Sequence, residues 1–242
     1  MSEQKVALIV GAGDAIGSAI AREFAEKGFT VCMARRTAEA VESYAKELCS
    51  EGYEAFGFGL DARKEDQVEA LFSKIESEIG PIEVVVFNVG ANVPMSILDT
   101  SARKFHKIWE MACFAGFLVG REAARKMAPR KSGTILFTGA TASIRGGAIF
   151  GAFASAKHGL RALAQSMARE LGPKNIHVAH VVIDAAVETQ WIKDNHPDYK
   201  KLIEKDGVVQ PKDLAKNYVM LHEQARNAWT FELDIRPWIE KW

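Results

Sequence analysis

The apolar run Val6–Val10 passes straight into Gly11-Ala12-Gly13-Asp14-Ala15-Ile16-Gly17 and from there into an amphipathic stretch over Ile16–Lys27. A buried strand, a glycine-rich turn and a helix in direct succession leave few folds open. The rhythm then repeats. Apolar runs at Thr30–Ala34, Ala55–Gly59, Val84–Phe87, Gly133–Thr138, His177–Ile183 and Thr230–Leu233 alternate with helical patterns at Ala38–Ser50, Lys64–Ile79, Ala102–Met127 and Phe153–Leu171. Near-continuous apolar strands joined by helices predict a parallel sheet covered on both faces. The expected fold is a doubly wound, Rossmann-type α/β domain of three αβα layers spanning 1–242. In the first helix Ile16, Ile20 and Phe24 recur four apart, as one stripe facing the sheet. Only Val187–Pro211 breaks the rhythm. It is polar, contains Pro197 and Gly207, and reads either as a substrate lid over 187–211 or as a surface helix pair with no part in closure.

Composition narrows the function classes. The 242 residues carry a formal net charge of +0, which gives no electrostatic reason to expect nucleic acid or an anionic membrane as partner. Met1-Ser2-Glu3-Gln4-Lys5 leads into an apolar run too short for a signal sequence or a membrane span. Cys32, Cys49 and Cys113 form an odd set without close spacing, which argues against a disulfide framework and a zinc site. A soluble cytoplasmic protein without a bound metal is expected.

The glycine turn suits a pyrophosphate. Glycine lets the backbone bend and approach closely, and a helix N-terminus offers free N–H groups. A tight turn alone would also explain the glycines. The second strand ends in Arg35-Arg36, where an acidic residue would bond the 2′-hydroxyl of NAD and arginine suits the 2′-phosphate of NADP. NADP(H) is therefore favoured over NAD(H), although the pair can also be a solvated helix start, and Asp14 is placed to oppose a phosphate. Asp61 either caps the next helix or bonds the adenine. Asn88-Val89-Gly90 ends the fourth strand, where a glycine allows close approach of the cofactor.

The chain resembles the short-chain dehydrogenase/reductase family over essentially its whole length. The carrying residues are the glycine turn from Gly11 to Gly17, Asn88-Val89-Gly90, Phe153-Ala154-Ser155-Ala156-Lys157, and Ala168-Arg169-Glu170-Leu171-Gly172-Pro173 with the strand after it. The resemblance implies a seven-stranded sheet, a nicotinamide dinucleotide site using Gly11, Gly13, Ala15, Ile16, Gly17, Asn88, Gly90 and Lys157, and a homodimer or homotetramer. It also puts Val187 and Thr189 in the segment that holds the nicotinamide carboxamide. The departures are specific. Ala15 replaces the middle glycine of the turn, which is tolerable where φ is negative. Of the family's Asn, Ser, Tyr and Lys, the Asn position is Cys113, the Ser position Ala140 and the Tyr position Phe153, so only Lys157 matches. This pattern is similar to an atypical subgroup with Phe for the catalytic Tyr.

Phe153 and Lys157 lie one helical turn apart on one face. A Tyr there would donate a proton with its pKa lowered by the ammonium; Phe has no proton to give. Asp184, ending an apolar strand at the ligand edge, is the candidate substitute acid, or else a turn-forming residue. Thr141 and Ser143 are possible shifted hydroxyls, and Tyr199, within the lid, is a further donor that can reach in. Cys113 reads as a helix-packing residue rather than a nucleophile. His158, His177 and His180 read as structural. The expected function is an NAD(P)(H)-binding oxidoreductase-type protein with an altered active site, acting on a small-molecule carbonyl or hydroxyl. The alternatives are a non-catalytic nucleotide sensor or partner subunit, and a lyase or isomerase built on Asp184. The aromatic-rich Trp229–Trp238 is expected at a subunit contact.

Overall fold

The computed structural model describes residues 5–241; Met1–Gln4, which precede the short apolar run read above, and Trp242 lie outside them. Seven strands form one parallel sheet: β1 (Val6–Val10), β2 (Thr30–Arg35), β3 (Ala55–Gly59), β4 (Ile82–Phe87), β5 (Gly133–Thr138), β6 (Ile176–Ile183) and β7 (Glu232–Ile235). Their spatial order is β3-β2-β1-β4-β5-β6-β7, so the winding reverses between β1 and β4. A crevice opens at the carboxyl ends of the strands at such a reversal. The Rossmann-type α/β expectation is met.

Alternate residues of each strand enter opposite cores. On one face Val6, Leu8 and Val10 pack with Phe72 of α3 (Glu65–Glu78) and Leu118 of α5 (Ala115–Arg130). On the other, Ala7 and Ile9 pack with Phe24 of α1 (Ile16–Glu26), Val41 of α2 (Ala38–Ser50) and Tyr218 of α9 (Pro211–His222). Burial on both sides is why the strands read as unbroken apolar runs.

Three elements differ from the sequence reading. The long helix expected over Ala102–Met127 is α4 (Ala102–Trp109), a π-helical turn over Glu110–Phe114, and then α5, which continues to Arg130. The last strand is shifted two residues onward from Thr230–Leu233, because β7 is an edge strand with half-exposed, partly acidic positions that blur its pattern. Helix α9 was not anticipated. Its start is marked by Pro211 in the first turn, a position where proline costs no hydrogen bond. No helix of the described residues is long and apolar enough to cross a membrane.

His180 on β6 is fully buried, with Nδ1 3.1 Å from Glu232 Oε2. Burial pushes its pKa from 6.5 down to about 4. Between those two values the unfolded chain holds a proton that the folded chain rejects, so stability falls as pH drops through that window. Urea unfolding from pH 7 to pH 4 should show this loss, and His180→Gln should flatten the slope between about 6.5 and about 4; equal slopes would assign the loss to other groups.

Candidate functional site

The crevice begins where β1 turns into α1. Gly11 adopts φ +90°, and a Cβ there would lie 2.7 Å from the backbone carbon and oxygen of Asn88. Asn88 reciprocates: its Nδ2 donates to Gly11 O at 3.0 Å and its backbone N donates to Val10 O at 2.8 Å. Gly17 is fixed by packing as well, since its Cβ would meet Ala12 Cα at 2.5 Å. Gly13 and Gly90 face open space instead. The chain's own packing thus requires two glycines, and the other two leave the cleft floor bare for a ligand. Ala15 sits at φ −126°, so its methyl adds no left-handed strain.

The outer part of the crevice is a cavity of about 330 Å³ between the ends of β1, β2, β3 and β4. Gly11, Gly13, Arg35, Arg36, Asp61, Asn88 and Gly90 all line it. Arg35 Nη1 pairs with Asp14 at 2.7 Å, while exposed Arg36 lies beside Thr37 on the rim. Asp61 does not cap α3. Its carboxylate grips Arg63 through Nε at 2.8 Å and Nη2 at 2.6 Å, and that guanidinium holds its pKa below the usual carboxylate range. Arg63 also lines the cavity and was not singled out from the sequence; its signal there is only a basic residue two after Asp61.

The inner part is a cavity of about 220 Å³ lined by Ile16, Asn88, Gly90, Ala140, Phe153, Lys157 and Val187, among others. Lys157, on α6 (Gly151–Leu171), is buried and donates to Thr138 O at 2.8 Å and Val89 O at 3.3 Å. Burial lowers its pKa to about 8, with nearby Cys113 opposing the shift. Its Nζ lies 5.9 Å from the Phe153 ring centroid, as the one-turn spacing requires. Phe153, Cys113 and Ala142 belong to one apolar cluster, on which Ala140 packs. Cys113 lies in the π-helical turn; a Cβ on Gly159 of α6 would fall 3.0 Å from its Sγ, and burial raises its thiol pKa. It is a helix-contact residue.

The candidate replacements for the missing acid are engaged elsewhere. Asp184 is buried and lies outside the cavity lining. It accepts from Thr141 Oγ1 at 2.5 Å and Arg145 Nη2 at 3.1 Å, and Arg236 Nη1 approaches at 3.4 Å. Ser143 Oγ accepts from the Ala140 backbone N at 3.1 Å. Tyr199 donates to Glu188 at 3.1 Å. His158 bonds Ala154 O on its own helix, and His177 stacks on Trp229. Among the described residues no group of three or more His, Cys, Asp or Glu side chains is arranged to hold a metal ion.

The segment over 187–211 contains α7 (Gln190–Asn195) and α8 (Tyr199–Ile203). Its two ends are pinned together by a parallel bridge between Val187 and Val209. Val187 reaches the inner cavity, whereas Thr189 caps α7 by accepting from Ile192 N at 3.1 Å. Across the mouth, Ile149 holds φ +63°. A β-branched residue in that region costs about 1–3 kcal/mol and survives only where its surroundings impose it. Here its carbonyl accepts from Met95 N at 2.6 Å.

A family model for the short chain dehydrogenases matches residues 5–200. The chain belongs to the short-chain dehydrogenase/reductase family. It is 30% identical over 228 residues to a 2-dehydro-3-deoxy-D-gluconate 5-dehydrogenase of Formosa agariphila, covering 91% of this chain and 86% of that one. The crystal structure of a short-chain dehydrogenase from Rhodopseudomonas palustris is 47% identical, with a TM-score of 0.83 over 97% of this chain and 99% of that one. A metagenomic short-chain oxidoreductase in complex with NADP shares the fold at 24% identity, with a TM-score of 0.84 over 98% of this chain and 99% of that one.

Proposed function

We propose that this chain is an NADP(H)-binding, oxidoreductase-type protein of the atypical Phe-for-Tyr subgroup. The observation that carries the reading is an open crevice at the reversal of strand order, joined to a corner where buried Lys157 stands beside Phe153. Gly11, Gly13, Ala15, Ile16 and Gly17 form the turn under the pyrophosphate. Asn88 and Gly90 back the ribose, Lys157 bonds its hydroxyls, and Val187 with Thr189 flanks the nicotinamide. Arg36, with Arg35 held beside it by Asp14, meets the 2′-phosphate. When bound, the nucleotide supplies hydride chemistry. The chain supplies position but no side-chain acid, so reduction of a small-molecule carbonyl is slower by the roughly 10²–10⁴-fold that such a group contributes. The ion-paired surroundings of Asp184 favour a structural role for it and disfavour lyase-type chemistry. The apolar filling of the corner supports a second reading, a nucleotide-binding protein without turnover, in which 187–211 closes as a lid over a bound molecule.

Fluorescence titration should give tighter NADPH than NADH binding, and Arg36→Ala should weaken NADPH by about 10-fold while leaving NADH unchanged. Equal binding of both forms by wild type would remove the NADP preference. Absence of either would remove the nucleotide reading.

The Lys157 ammonium gains a partner when ribose binds, so binding raises its pKa above about 8. NADPH affinity should therefore hold steady below pH 8 and fall as pH rises above it, and Lys157→Met should bind weakly with a flat profile over this range. A falling profile in Lys157→Met would assign the dependence to another group.

The chain is further proposed to form a homodimer or homotetramer. Trp229 is already used internally against His177, whereas Phe105, Trp109 and Phe117 on α4 and α5 and Trp238 near the C-terminus stay exposed. Sedimentation at micromolar concentration should give an assembly; a monomer would overturn this.

A further inference from the structure

The inner corner presents carbon at Phe153 and Ala140, and these share an apolar patch with Cys113, Ala91, Ala142 and Met95. The hydroxyls nearby are committed. Thr138 Oγ1 lies 2.7 Å from Tyr218 Oη, and Thr141 donates to Asp184. Ser143 is fully buried beneath Ala140, and Lys157 donates to two backbone carbonyls. Apolar character continues outward. Beside the start of α6, Ile97 and Ile149 are 72% and 52% exposed. The two loops that carry them meet: Met95 N donates to Ile149 O, and a Cβ on Gly151 would lie 3.9 Å from Ile97 Cδ1. Ile149 keeps its side chain there at the cost of a left-handed backbone.

We propose that this corner takes a small molecule by an apolar end, an alkyl or aryl group with no oxygen where a reacting carbonyl would otherwise sit. An oxygen set against Phe153 and Ala140 loses its hydrogen bonds to water, and the side chains beside it are carbon or, as with Thr138, Thr141 and Ser143, already paired. A methylene or ring carbon entering the same place loses nothing and removes the exposed surface of Phe153, Ile97 and Ile149 from water. The ligand's polar group therefore stays at the mouth. This inference rests on the reading that the adjoining crevice holds the nucleotide, and deepens it by naming what lies against it.

The test is calorimetric titration of the full chain, with and without NADPH, using octanol and the straight-chain octanediol that bears a hydroxyl at each end. Octanol can lead with carbon; the diol cannot. Octanol should bind at least about 10-fold more tightly than the diol. Phe153→Tyr and Ala140→Ser, each restoring one hydroxyl and each checked by thermal unfolding, should narrow that ratio by roughly 3-fold or more. Failure of octanol to bind overturns the proposal. So does a ratio that neither folded variant changes, since a general preference for the less soluble probe would persist in both. A narrowed ratio with no NADPH binding sinks the nucleotide reading alone. NADPH binding with an unmoved ratio sinks the apolar ligand alone.

Discussion

The close approach of Gly11 to the end of β4 is the constraint on which the rest of the site depends. A Cβ at Gly11 would fall inside contact distance of the Asn88 backbone, and Asn88 answers with a side-chain hydrogen bond to Gly11 O. That contact sits where the strand order reverses. It sets the width of the crevice, places the start of α1 against it, and fixes Val89, whose carbonyl is one of the two that hold Lys157. A larger residue at Gly11 would push β1 and β4 apart and loosen all three together.

Lys157 stands buried beside Phe153, one helical turn away. A buried ammonium is costly unless its hydrogens are accepted. Thr138 O and Val89 O do this, so the lysine is stable in its place without a tyrosine beside it. Apolar side chains, Phe153 and Ala140 among them, line the corner beside it. The family fold is retained because its stability comes from the two faces of the sheet, far from these positions. Replacing polar by apolar residues in a small corner costs the scaffold little.

Much of this was legible in the chain. β1 and β5, buried on both faces, have no polar alternation to confuse them and fall where their apolar runs do, as does the half-exposed edge strand β3. The glycine turn and the Phe153–Lys157 face are each local features marked by spacing, and the rule that a crevice opens at the carboxyl ends of the strands puts Asn88, 77 residues from Gly11, beside the turn. What was not legible is equally specific. Asp184 ends a strand at the ligand edge, as its position implies, but its partners Arg145 and Arg236 lie 39 and 52 residues away. Arg63 lacked any periodic signal, and the edge strand β7 was blurred by its half-exposed positions.

The sequence by itself determined the order of elements, the place of the glycine turn and the pairing of Phe153 with Lys157 on one helix face, because each is written in neighbouring residues or in a fixed repeat. Only the tertiary structure decided which polar groups are free to act. Thr141, Ser143, Tyr199 and Asp184 are all plausible donors on paper, and each is claimed by a partner that folding brings to it. A hydrogen bond forms between atoms a few ångströms apart in space, and the distance between two residues along the chain does not say whether the fold will bring them that close.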